Sequence, residues 1–183
     1  MSRILPAYAL ALVGCIGFAT AEEPPHQAAN ATEQHEFLNR FAGQWEFDGE
    51  AYFQPDQPPE KSTGKMTGKM IGGLWAVVDV TGEMVGHPYH GQGTFGYDSK
   101  KQKYIGTWVD SMSEFIWRYE GVADGNKLVL SSSGPNPAEP DKMLNARDTW
   151  EFTSDDEVLL TGEFEGPDGK MMTVMKATCR RVK

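Results

Sequence analysis

The feature that most constrains this chain is a two-residue rhythm that begins at Trp45. Trp45, Phe47, Gly49, Ala51 and Phe53 fall on one face of an extended segment, and Glu46, Asp48 and Glu50 fall on the other. An antiparallel strand with one wet face has this pattern. Downstream, Thr63 to Met70 reads TGKMTGKM. A repeat of four preserves strand parity, so Gly64, Met66, Gly68 and Met70 share the inner face. Alternation resumes over Leu74–Met84, Tyr89–Asp98, Lys103–Asp110, Glu114–Val122, Lys127–Ser133, Leu144–Thr153, Glu157–Glu165 and Met171–Arg181. Turn residues separate these segments, among them Gly72-Gly73, His87-Pro88, Asp124-Gly125 and Pro167-Asp168-Gly169. Gly134 to Met143 carries three prolines and reads as a loop. The count is about ten strands at short, even spacing, which points to an all-β sandwich or barrel. A sandwich needs long crossovers; connections this short favour a closed antiparallel up-and-down barrel.

Ahead of the first strand, Thr32 is placed to cap a short helical turn. Phe37, Leu38 and Phe41 recur at its spacing, which suits a plug for one end of the barrel. Residues 1–21 read as a secretory signal peptide: Arg3, an apolar run from Ile4 to Val13, and a small-residue site at Ala19-Thr20-Ala21. Residues 22–31, with Pro24-Pro25, read as a flexible tether, and 32–183 as the barrel domain. The expected location is outside the cytoplasm, periplasmic or extracellular. Leu12-Val13-Gly14-Cys15 offers a competing lipoprotein site, with anchoring through Cys15. The apolar Ile16-Gly17-Phe18 that follows speaks against it, because a polar tether is usual there. Cys179 is the one cysteine beyond the signal, so no internal disulfide is expected. Formal charge is −9 and becomes −10 without Arg3, a balance that repels phosphate backbones and disfavours nucleic acid. No run is long and apolar enough for a transmembrane helix.

Gly43-Gln44-Trp45 near the start and Arg180-Arg181 near the end resemble the lipocalin-like (calycin) pattern. In that pattern a Gly-x-Trp opens the first strand and a late Arg stacks on the indole. Parity with Met171, Thr173, Met175, Ala177 and Cys179 points Arg181 inward. The chain also resembles the bacterial family catalogued as domain of unknown function 1579. The resemblance rests on HEFLNRFAGQWEF from His35, Gly72-Gly73-Leu74-Trp75, Gly-His-Pro-Tyr-His-Gly from Gly86, Gly96-Tyr97-Asp98, Tyr104 and Trp108-Val109-Asp110. It implies a lipocalin-like barrel, usually secreted or periplasmic, and brings no catalytic residues with it.

Chemical motifs are sparse. His87 and His90, with Asp79 or Asp98 from another strand, are the nearest approach to a metal set. Two imidazoles three apart are few ligands, and surface decoration explains them better. Tyr97 and Asp98 point to opposite strand faces and cannot act together; Asp98 suits the turn Asp98-Ser99-Lys100. No metal, cofactor or catalytic residue is read from the sequence. The aromatic and methionine content says more. A barrel of about ten strands is wider than the eight-stranded kind that side chains nearly fill. Glycines alternating with methionine also remove volume from the interior. The reading is therefore an exported barrel that binds a small, mostly apolar ligand in its lumen, against Met66, Met70, Tyr104, Trp108, Trp117 and Met175. An enzyme using a buried carboxylate or imidazole in the same lumen is the alternative, as is a filled barrel acting through its surface.

Overall fold

The computed structural model describes residues 30–52 and 57–183. The signal peptide, Cys15, nearly all of the tether and Phe53 lie outside the described residues. A six-residue helix, α1 (Glu33–Leu38), runs into a 3-10 turn at Asn39–Phe41 and then into ten strands. The strands are β1 (Gly43–Ala51), β2 (Glu60–Ile71), β3 (Trp75–Met84), β4 (His87–Asp98) and β5 (Lys103–Asp110). After them come β6 (Ser113–Asp124), β7 (Lys127–Asn136), β8 (Glu139–Phe152), β9 (Glu157–Glu165) and β10 (Met171–Arg181). Each strand pairs antiparallel with its sequence neighbours, and β10 returns to β1, so the sheet closes as an up-and-down barrel. This is the expected architecture.

α1 begins where the sequence placed its cap. The backbone N–H of His35 bonds to Thr32 O at 2.9 Å, and the His35 ring accepts from the Thr32 N–H at 3.0 Å. The helix lays Leu38 and Phe41, both fully buried, across one end of the barrel. There the Phe41 ring meets Trp150 (5.2 Å, 82°) and Phe152 (5.1 Å, 77°) edge-on. Burying each such side chain stabilises by about 1.5–3 kcal/mol. Gly68 on β2 is required here. A Cβ at that position would collide with the Phe41 carbonyl, so only glycine lets the plug settle on the strand.

Trp45 and Arg181 lock the plug in place. Their Cα atoms are register partners across the β1–β10 closure. The guanidinium lies 4.0 Å over an indole that is 1% exposed. Trp45 donates its ring N–H to Phe41 O at 3.1 Å. Arg181 donates to the carbonyls of Arg40, Ala42 and Asp155, joining the plug to the β8–β9 turn. Arg181 points inward as the alternation predicted, and it stacks on Trp45 as the lipocalin-like resemblance implied.

Two segments depart from expectation. His87-Pro88 is not a turn: both residues begin β4, paired with Met84 and Glu83, and Val85-Gly86 makes the turn. Gly134–Met143 is not a loop: β7 runs on to Asn136, β8 starts at Glu139, and Pro137-Ala138 makes the tight turn between them. Pro137 lies in the turn, Pro140 falls at the register shift of β8 before its ladder to β9 begins, and Pro135 is tolerated because β6 has already left. Its ladder to β7 ends at Glu120↔Ser131, so Ser132–Asn136 are an edge on that side, where a missing N–H costs no ladder bond.

Candidate functional site

The barrel interior divides into two halves. The half under the plug is packed solid by Leu38, Phe41, Trp45, Met66, Phe95, Phe152 and their neighbours. The other half opens toward the β5–β6 and β7–β8 turns and is lined differently. Inward positions of β6, namely Phe115, Trp117 and Tyr119, keep partial exposure although they face the interior. So do Asp148 on β8, Leu160 and Phe164 on β9, and Met175 and Ala177 on β10. Solvent therefore reaches well into this half.

At the bottom of the recess sits a polar cluster. Tyr119 donates its hydroxyl to Asp148 Oδ2 at 2.8 Å. Trp108 donates its ring N–H to Asp110 Oδ2 at 3.1 Å, while Asp110 Oδ1 accepts the Met112 N–H in the β5–β6 turn at 2.8 Å. Tyr89, 9% exposed, completes the group, with its hydroxyl beside Gly91 and the Trp108 ring. Asp148 is half-buried, with its carboxyl set among Tyr119, Gly162 and Met175. Desolvation pushes its carboxyl up to about 6, against the pull of the Tyr119 hydrogen bond, and Glu163 adds a smaller push the same way. Burial raises the Tyr119 hydroxyl far above its ordinary range, with the charge of Asp148 and the hydrogen bond to it adding to the rise. Tyr89 is raised by burial, then by Asp110. The arrangement thus offers a carboxyl that changes protonation near neutral pH, beside hydroxyl donors that stay protonated.

Around this cluster the walls are apolar. Trp117 stacks on Phe164 (6.0 Å, 14°) and takes Phe115 edge-on (5.4 Å, 81°). Its ring also covers Gly134, so it lies across the inner side of the gap where β6 and β7 part. Met175 closes the opposite wall, its methyl and Asp148 Oδ1 both lying over Gly162.

The family described as "Protein of unknown function (DUF1579)" matches residues 30–181, which take in α1 and all ten strands. The chain belongs to that family. No curated protein matches it. Among solved structures it is similar to Rv2717c from M. tuberculosis, at 13% identity and a TM-score of 0.59, covering 84% of this chain and 100% of that one. It is also similar to the S-type phycobiliprotein lyase CPES from Guillardia theta, at 13% identity and a TM-score of 0.56, over 83% and 94% of the two chains. At such identity these likenesses show a shared barrel fold and nothing more.

Within this DUF1579 barrel the six residues singled out from the sequence do not form one group. Met66, 1% exposed, is core beneath the plug, and Met70 packs at the same end. Tyr104 is also there, donating its hydroxyl to Gln34 O at 3.1 Å, and burial pushes that hydroxyl up to about 12. Trp108, Trp117 and Met175 line the open half. Two clefts of ligand size lie outside the lumen. One, of 490 Å³, is a groove on the outer wall along Trp75, Ile105, Thr107 and Arg118. The other, of 340 Å³, is a crevice beside the plug along Phe37, Tyr97, Gln102 and Tyr104. The glycine argument for an empty lumen is corrected by the packing. A Cβ at Gly64 would strike the Phe47 ring, one at Gly93 the Trp108 and Phe95 rings, and one at Gly68 the plug. These glycines admit neighbouring rings and backbone, and the volume they release is already filled.

Asp148, Tyr119, Tyr89 and Asp110 were not chosen from the sequence, although a signal existed. Ala146, Asp148, Trp150 and Phe152 share one face of β8, so a charge stands alone on a core stripe. Asp110 likewise shares parity with Trp108. His90 pairs with Asp79 at 3.0 Å on the outer surface, and both are exposed. Asp98 caps its turn, accepting from the N–H groups of Lys100 (2.9 Å) and Lys101 (3.1 Å), as its position suggested. No helix among the described residues is long and apolar enough to cross a membrane.

Proposed function

We propose that this barrel binds a small, mostly apolar molecule in its open half. The apolar body lies against Trp108, Trp117, Phe164 and Met175, and the polar end reaches the Tyr119–Asp148 pair. The observation that carries this reading is the hydrogen-bonded Tyr119–Asp148 pair at the bottom of a partly exposed aromatic recess. Apolar walls with a few convergent polar groups are the usual composition of a small-molecule site. Native mass spectrometry of protein purified from its own source tests it: a mass excess lost on denaturation is expected. Nile red, a neutral probe, should enter and change tryptophan fluorescence in the wild type, and do so less in Trp117→Ala. A chain free of extra mass, whose fluorescence ignores the probe, rules the reading out.

A second reading is favoured by one observation. Asp148, held near pH 6, is matched to proton transfer at neutral pH, which a catalytic base or acid needs. It ranks below binding because nothing else among the described residues points to a reaction. A turnover that follows a single group near pH 6 and vanishes in Asp148→Asn would raise it above binding. We also propose that the chain is exported and cleaved after Ala21. N-terminal sequencing of protein from its source decides the point, and a chain starting at an acylated Cys15 overturns it.

A further inference from the structure

We infer that the polar end of the ligand is a cationic nitrogen, so that the open half of the barrel takes an organic amine with an apolar body. The inference rests on the lumen being the binding site. It follows from what the recess contains and lacks. Two acids, Asp110 and Asp148, face inward within one cluster. The charged side chains that act on Asp148, Tyr89 and Tyr119 are Asp110, Asp148 and Glu163, all acids. The cations of the neighbouring strands are engaged elsewhere: Lys142, at Asp148's own parity on β8, is exposed and pairs with Glu139 at 2.7 Å. Arg147 turns outward to Glu163 at 2.7 Å, Arg180 pairs with Asp48 outside, and Arg181 is committed to the plug end. His87 stands exposed at the rim.

Hydrogen-bond satisfaction points the same way. Asp148 Oδ2 is taken by Tyr119, whereas among the described residues nothing donates to Oδ1, which faces Gly162 and the Met175 methyl. On the next strand Ser132 is inward by alternation with Leu130 and Gly134. Its Oγ is buried and has no hydrogen-bond partner among the described residues. Ser132 pairs with Ala146, the inward residue immediately before Asp148 on β8, so the two unmet groups are diagonal neighbours. A half-buried carboxylate with no cation beside it and a buried orphan hydroxyl both leave bonding capacity unmet, the hydroxyl at the cost of its desolvation. An ammonium supplies several donors and a positive charge to both. The rings of Trp108, Trp117 and Tyr119 offer π faces that favour the same charge. A carboxylate-bearing ligand would meet two acids and no cation; an alcohol would satisfy Oδ1 and leave the charge uncompensated.

The test compares three probes with one chain length: octylamine, 1-octanol and octanoate, titrated by calorimetry and tryptophan fluorescence at pH 7.5. Octylamine is expected to bind at least about tenfold tighter than 1-octanol, the worth of one hydrogen bond to a charged group, with octanoate weakest. Asp148→Asn should reduce the amine's advantage over the alcohol to within about threefold, the ratio being read within the one variant. The wild-type comparison stands without any variant, so a variant that fails to fold does not decide the matter. Octanoate binding as tightly as octylamine, or an amine preference that survives in Asp148→Asn, overturns the cationic assignment and leaves lumen binding in place. Failure of all three probes to bind removes the lumen reading together with this one.

Discussion

Asp148 makes a measurable prediction about stability, independent of any ligand. Its carboxyl titrates near 6 in the folded barrel, against 3.8 as the ordinary value. A raised acid means that the folded state holds its proton more tightly than the unfolded state. Folding therefore carries no penalty from Asp148 well below pH 4, and a growing one as pH rises through 6. Two pKa units correspond to about 3 kcal/mol, and contact with solvent in the recess trims this to about 1–3 kcal/mol. Asp148→Asn removes the ionisation but keeps an oxygen to accept from Tyr119. The variant should be about 1–3 kcal/mol more stable than wild type at pH 8, with the gap narrowing through pH 6 and closing near pH 4. Urea unfolding followed by tryptophan fluorescence at these three pH values reads it directly, since effects of the other acids cancel between the two proteins. The groups facing Asp148 are Tyr119, Tyr89 and Asp110 inside and Glu163 outside, and none offsets its charge. A gap that does not change with pH, or an asparagine variant less stable at pH 8, refutes the reasoning.

Trp45→Ala should cost about 3–5 kcal/mol in urea unfolding, as a large core truncation does, and free the Arg181 guanidinium. A loss below about 1 kcal/mol would mean that the indole does not anchor the plug. Gly68→Ala should cost at least about 2 kcal/mol, because the added methyl overlaps the Phe41 carbonyl. Gly162→Ala, whose Cβ meets its neighbours at 3.3–3.5 Å, should cost far less, and equal losses would contradict the plug contact. Cys179 is 4% exposed, and burial pushes its thiol up to about 12. It should stay unlabelled by a thiol-reactive disulfide reagent at pH 8 until urea is added; rapid labelling of the folded protein would show that β10 frays.

The architecture was legible because its signals are local and repeated. Alternation from Trp45 to Ala51, the parity-preserving TGKM repeat and the turn residues between strands each describe a few neighbouring residues, and together they imply closure. The same parity chose Arg181 over Arg180 as the inward residue, while its contact with Trp45, spanning most of the chain, came from the lipocalin-like resemblance. Where pairing depends on a third strand, that reading failed. Pro135 looks like a loop residue until the early departure of β6 makes β7 an edge, and Pro140 until the irregular register of β8 between Glu139 and Met143, short of the β9 ladder, is known. The site was half legible for a related reason. Trp108, Trp117 and Met175 were found by type and parity, but Met66 and Tyr104 share those marks and lie under the plug. Nothing in the sequence says which end of the barrel α1 will fill. Asp148 stood on an apolar stripe in plain view, yet its importance depends on Tyr119 from a strand two places away in the ring.

The parting of β6 from β7 has a further consequence. Those two strands share five residue pairs, the fewest of any neighbours around the ring, against ten between β7 and β8. Thermal rupture of the cylinder should therefore start at this rung, turning a tube into a curved ribbon with two fresh borders. Such borders are templates for joining a second copy. Here each border carries its own deterrent. Pro135 interrupts the donor row of β7, and Glu114, Arg118 and Glu120 put alternating charge along the outer side of β6. The place where the wall gives way most easily is also a place where another chain would find it hard to zip on.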